Sequence, residues 1–102
     1  MNNRLKLQSK LEEMIGSKHV YFQPPASVKL SYPCVVYNIG NGDAKRADDK
    51  MYLYTNSYTV IFIYKKPNID IIERVLNEIP MSSVNATYCS DNLNHYVFTI
   101  YY

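Results

Sequence analysis

Tryptophan is absent from this chain of 102 residues, glycine occurs only three times and cysteine twice. Scarce glycine argues against a phosphate-cradling loop, whose backbone must come close to the anion. No run of about 18 apolar residues marks a membrane span, and no early apolar stretch precedes a small-residue cleavage site. The chain therefore reads as soluble, made in the cytoplasm and not exported by a secretory route. Its two cysteines, Cys34 and Cys89, are accordingly expected to be reduced, buried and unligated. A dominant charge is also missing. Eleven Lys and Arg against nine Asp and Glu leave a net +2, too little to propose nucleic-acid binding. The length allows one domain, residues 1–102.

What the chain does have is tyrosine. Eleven Tyr and three Phe make it 14% aromatic, mostly in segments with strand character, and 47% hydrophobic content is too high for a disordered tail. Residues 4–15 carry a helical stripe of Leu7, Leu11, Met14 and Ile15, with Arg4, Lys6, Lys10, Glu12 and Glu13 around it. Asn2 or Asn3 suits the cap, and Gly16 suits the left-handed position after the last turn. Basic residues lie near the start and acidic ones near the end, against the helix dipole, so packing must hold this helix.

His19–Gln23 reads as a short strand stopped by Pro24 and Pro25. Residues 24–33 are extended and irregular, and the Tyr32–Pro33 bond is open to either isomer. Cys34–Ile39 is a strand, and Gly40–Lys50 is a polar loop. Met51–Tyr64 is one long bent strand or two, with a bend at Thr55–Ser57. Over 58–64 both faces are apolar, which predicts a central position in the sheet. Pro67 and Asn68 open a second helix with Ile69, Ile72, Val75, Leu76 and Ile79 as its buried stripe, ended by Pro80. Val84–Cys89 and His95–Tyr102 form a hairpin around Ser90–Asn94.

The order α-β-β-β-α-β-β predicts an α+β domain: a mainly antiparallel sheet with both helices on one face. Tyrosines and β-branched residues are expected on the other face, which in so small a domain would be covered by another subunit.

Three chemical constellations can be drawn. Cys89, Asp91 and His95 contain the residue types of a nucleophilic triad, without the strand-to-helix setting a nucleophile uses. Cys34, Cys89, His19 and His95 have the ligand count of a metal site but no short-spaced pair. Tyrosines near Lys29, Lys65 and Lys66 suggest base stacking, yet no basic–aromatic consensus of sheet-based RNA modules is present. Neither an enzyme nor a cofactor is expected. Protein interface is the better use of exposed tyrosine. The mixed-charge segment 43–50 is either a contact loop or a solvated one.

Val20-Tyr21-Phe22-Gln23-Pro24-Pro25, leading into Tyr32-Pro33-Cys34-Val35-Val36-Tyr37, resembles the N-terminal half of small tail-completion proteins of tailed bacteriophages. Ala47-Asp48-Asp49-Lys50-Met51-Tyr52-Leu53 and Tyr58-Thr59-Val60 are similar to the middle of those proteins. The most specific likeness is Asp91-Asn92-Leu93-Asn94-His95 followed by Val97-Phe98-Thr99-Ile100-Tyr101-Tyr102. One departure is Tyr64-Lys65-Lys66, where relatives often have an Asp after the central strand. The resemblance runs from about residue 19 to the end. It implies a tail terminator, or head–tail joining or minor capsid protein: a non-enzymatic α/β sandwich in the virion neck, assembled in the host cytoplasm.

Such proteins form a ring, typically of six, that caps the tail tube and docks on the head connector. The implied partners are further copies of the chain, the tail tube protein, a connector or head-closure protein, and the sheath where the tail is contractile. No membrane and no specific nucleic acid are implied, and no catalytic, cofactor or metal residue is carried over. A head-closure or other neck-ring subunit is the alternative within this class, and a small RNA-binding module is the alternative outside it. A ring joins unlike surfaces head to tail. Tyr21, Phe22, Tyr52, Tyr54 and Tyr58 are candidates for one side. The loop bearing Lys45, Arg46, Asp48, Asp49 and Lys50 is a candidate to reach a neighbour. A monomeric free subunit is compatible with this scheme.

Overall fold

Leu7, Leu11 and Met14 recur at helical spacing and are all buried, so the first helix lays one apolar stripe on the sheet. The computed structural model describes residues 3–40 and 57–102. Within them, α1 (Asn3–Ile15) is followed by β1 (Val20–Phe22), β2 (Cys34–Ile39), β3 (Ser57–Tyr64), α2 (Asp70–Glu78), β4 (Ser82–Ser90) and β5 (Leu93–Tyr101). The expected α+β order and the two-helix, one-sheet architecture are present.

The five strands form one mixed sheet in the order β1-β2-β3-β5-β4. β3 is central, as its two apolar faces predict. All pairings are antiparallel except β1 with β2, which is parallel. A parallel neighbour requires a crossover in place of a tight turn. Here residues 23–33 supply it, and they include the cis Tyr32–Pro33 bond.

The sheet register decides which side chains meet the helices. Val35, Phe62 and Tyr96 form one cross-strand row, and Tyr37, Val60 and Phe98 form the next. All six are buried with Leu7, Leu11, Met14, Ile71, Val75 and Ile79. Phe62 and Phe98 meet edge-on at 5.7 Å, and Tyr37 lies 6.0 Å from Tyr58. Five of the tyrosines thus pack into or against the core on the helix side, Tyr37, Tyr58, Tyr64, Tyr96 and Tyr102, rather than lining the other side. Their hydroxyls are served at the rim of the core. Tyr37 donates to Gln8 Oε1, and Tyr96 accepts the Asn68 N–H at 2.8 Å.

Two boundaries differ from the sequence reading. The buried stripe of α2 is Ile71, Val75 and Ile79, with Ile72 half-buried, whereas Ile69 is 67% exposed and Leu76 is 41% exposed. The helix begins at Asp70, later than Pro67-Asn68 suggested, so Ile69 lies ahead of the stripe. The last hairpin is longer and its turn tighter. Only Asp91 and Asn92 lie outside the strands, both at positive φ, as a two-residue type I′ turn requires.

Gly16 has φ +78° and donates its N–H to Glu12 O, closing α1 in the expected way. Across the helix pair, Glu78 accepts from Lys10 at 2.8 Å and from Arg74 at 2.9 Å. Arg74 also donates to the Met14 carbonyl at 3.0 Å, occupying an otherwise orphaned acceptor at the end of α1.

Candidate interaction surface

The face of the sheet away from the helices carries three rows across four strands, Cys34–Ile63–His95–Tyr88, Val36–Ile61–Val97–Ala86 and Asn38–Thr59–Thr99–Ser83, and the shorter pair Ser57–Tyr101. Cys34 and Ile63 are buried although neither α1 nor α2 lies on this side. Tyr21 shares the face, and its hydroxyl accepts the Ser31 N–H at 3.4 Å, so the crossover passes over this side at the β1 end. Val36, Ile61 and Val97 are half-buried. The β-branched part of the expected surface is therefore present, and the tyrosine part is much reduced.

The candidate interface residues do not form one surface. Tyr21 and Phe22 point to opposite faces, as consecutive strand residues must. Phe22 lies on the helix side, 5.0 Å from the Tyr37 ring, with the Arg4 guanidinium 4.5 Å above it. Tyr58 is 1% exposed and packs in the protein's own core, so it offers no contact surface to a neighbour. Its alternation with Thr59 put it on the same side as Val60 and Phe62, one residue out of phase with the open face. Lys45, Arg46, Asp48, Asp49, Lys50, Tyr52 and Tyr54 lie outside the described residues. Gly40, next after β2, donates its N–H to the Ser57 carbonyl at the start of β3 at 2.7 Å. A Cβ on Gly40 would stand 2.7 Å from Ser57 Oγ and 3.2 Å from Ser57 O, so a larger residue there would make the serine side chain turn away and the junction give slightly.

The catalytic and metal constellations are taken apart by the same register. Cys89 lies opposite Asn94, on the helix side, while His95 lies opposite Tyr88, on the other. Thiol and imidazole are thus on opposite faces of the hairpin. His95 stacks on Tyr88 at 4.6 Å and an interplanar angle of 8°, and its Nδ1 lies 3.0 Å from Leu93 O. Cys34 shares a face with His95, but Ile63 stands between them, which spaces the two backbones by roughly 10 Å. Among the described residues no three His, Cys, Asp or Glu side chains converge on a metal position.

The cysteines also differ from one another, against the expectation that both are buried. Cys34 is buried, and desolvation pushes its thiol up to about 11. Cys89 is exposed, on the edge strand β4 close to the hairpin turn. Cysteine's preference for burial and its place in a strand pattern point inward, and neither reveals that β4 is an edge strand. A bulge between Val84 and Ala86 also breaks the alternation and puts Val84 on the side opposite to Ala86 and Tyr88.

Two shallow clefts border the helix layer. One, of about 330 Å³, lies between the helices and includes Met14, Tyr64, Asn68, Asp70 and Arg74. The other, of about 360 Å³, is lined by Pro33, Tyr64, Lys65, Lys66, Pro67 and Asn68. Neither brings a nucleophile to a base. Desolvation raises the Tyr64 hydroxyl above its usual range. Gln8 was not legible as a functional position, yet its amide donates to the Val20 carbonyl at 3.2 Å and closes the outer edge of β1.

Comparison with family models, curated proteins and solved structures finds no match to this chain.

Proposed function

We propose that this chain is a non-enzymatic structural subunit of a tailed-phage virion neck, a tail terminator that forms a ring of six between the tail tube and the head connector. The observation that carries the reading is the resemblance of Val20–Pro25 and of Asp91–Tyr102 to tail-completion proteins. Those segments form β1 with its exit and the final turn with β5. The surfaces are in keeping with it. Half-buried Val36, Ile61 and Val97 form a β-branched row on the face away from α1 and α2, and exposed Ile69 and Leu76 lie just before and on α2. Apolar surface of this kind suits contact with other proteins.

Removal of the coding sequence from the phage tests the role. The expected outcome is filled heads and separate tails that fail to join, with infectivity restored when the protein is supplied. Fully joined, infectious particles from the deleted phage would overturn the reading. A protein found in the particle but needed only after joining would point to another neck ring.

A further inference from the structure

The two edges of the sheet are protected very differently. β1 is three residues long and is stopped by Pro24. Its Val20 carbonyl accepts from Gln8 Nε2, and its Val20 N–H donates to Lys18 O at 2.8 Å. β4 is nine residues long, and every residue from Ser83 to Ser90 is exposed. It contains no Lys, Arg, Asp, Glu or Pro, the residues that natural edge strands use to discourage pairing. Val84 and Tyr88 stand 41% and 49% exposed along it. Among the described residues β4 pairs only with β5, so alternate N–H and C=O groups point outward from the sheet.

A strand this open is a template for a further strand. The edge at β1 is capped and short, so copies cannot extend the sheet head to tail through it. A second β4 is both open and uncharged, and like charges do not meet when the strand faces itself. We propose that β4 pairs antiparallel with β4 of a second copy, across a two-fold axis between Asn85 and Ala86, joining two five-stranded sheets into one.

The bulge selects this register. Ser82 and Val84, opposite Ile100 and Phe98, lie on the helix side, as do Thr87 and Cys89, opposite Tyr96 and Asn94. Ser83 and Tyr88, opposite Thr99 and His95, lie on the other side. Pairing about the stated axis sets Val84 against Thr87 and Ser82 against Cys89 on one face, and Ser83 against Tyr88 on the other. Every pair is matched in face. A register centred on Ala86 itself sets Ser83 against Cys89, on opposite faces, and fails. The pairing uses a surface apart from Tyr21, Phe22 and the charged loop, and it does not rest on the ring reading.

The test uses the full chain with Ser82→Cys, Ser82→Cys/Cys89→Ser and Thr87→Lys variants, each checked for fold by circular dichroism. Sedimentation of the unmodified chain at high micromolar concentration is expected to show a reversible dimer. Thr87→Lys places a charge on the open edge and is expected to weaken the dimer by about tenfold or more. Mild oxidation of Ser82→Cys is expected to give disulfide-linked dimers that Ser82→Cys/Cys89→Ser does not form. Residues 82 and 89 of one chain lie at opposite ends of β4, too far apart to bridge each other. A monomer at every concentration, an oligomer untouched by Thr87→Lys, or an oxidised Ser82→Cys that stays monomeric would overturn the pairing. A ring of six that persists with Thr87→Lys overturns it while supporting the proposed function.

Discussion

Cys34 and Cys89 are chemically alike and placed oppositely, so their behaviour reports on the sheet directly. A thiol reagent at neutral pH is expected to label Cys89 at once and Cys34 only on unfolding. Two thiols labelled at the same rate in the native protein would contradict the placement. Burial also makes Cys34 a source of alkaline sensitivity. The unfolded thiol ionises near 9.0 and the folded one near 11, so below this window both states hold the proton. Within it the unfolded chain releases the proton first, and stability falls as pH rises, by up to about 1.4 kcal/mol per unit. Above it the loss levels off. Tyr37 and Tyr64 are raised in the same direction by desolvation and extend the loss to higher pH. Denaturant titrations of the wild type and of Cys34→Ala, compared across this window, isolate the thiol. A difference between them that is flat with pH would refute its contribution.

At the scale of elements, α2 offers a paired test in one residue type. Ile71 is 3% exposed and Ile69 is 67% exposed. Ile71→Ala is expected to cost about 2–5 kcal/mol and Ile69→Ala within about 0.5 kcal/mol, read from chemical denaturation. Equal costs would show that the helix is rotated from the described face. Gly16→Ala at φ +78° is expected to cost about 1 kcal/mol, all of it conformational, since a Cβ there meets nothing within 4 Å.

The strong local signals were legible in the sequence. Leu7, Leu11 and Met14 marked α1, Gly16 its end, and the doubly apolar 58–64 the centre of the sheet. What could not be read depends on distant partners. The phase of α2 is decided by where the sheet lies beneath it, which left Ile69 and Leu76 outside the stripe. That β4 lies at the edge of the sheet depends on the strand order, and the bulge at Val84 and Ala86 has no local signature, so neither the exposure of Cys89 nor the facing of Val84 is legible locally. Tyrosine suits interfaces and cores equally, and only the register places Tyr58 in the core rather than on the surface. The parallel β1–β2 pair follows from the path of residues 23–33 across the sheet, which composition does not determine.

For the whole molecule, the proposed role asks the domain to be a building block, with its chemistry spent on contacts. The helix side is a closed core, and the face away from α1 and α2 is partly covered by the crossover. Among the described residues, what remains available are the half-buried β-branched row, the exposed side chains of α2 and the strand β4. A reconstruction of the neck of intact virions at side-chain resolution tests the account most directly. The account predicts six copies of this chain in one ring between the tail tube and the connector, in contact with both, with Tyr58 inside each subunit. A neck built without this chain, or the chain absent from the particle, would contradict it.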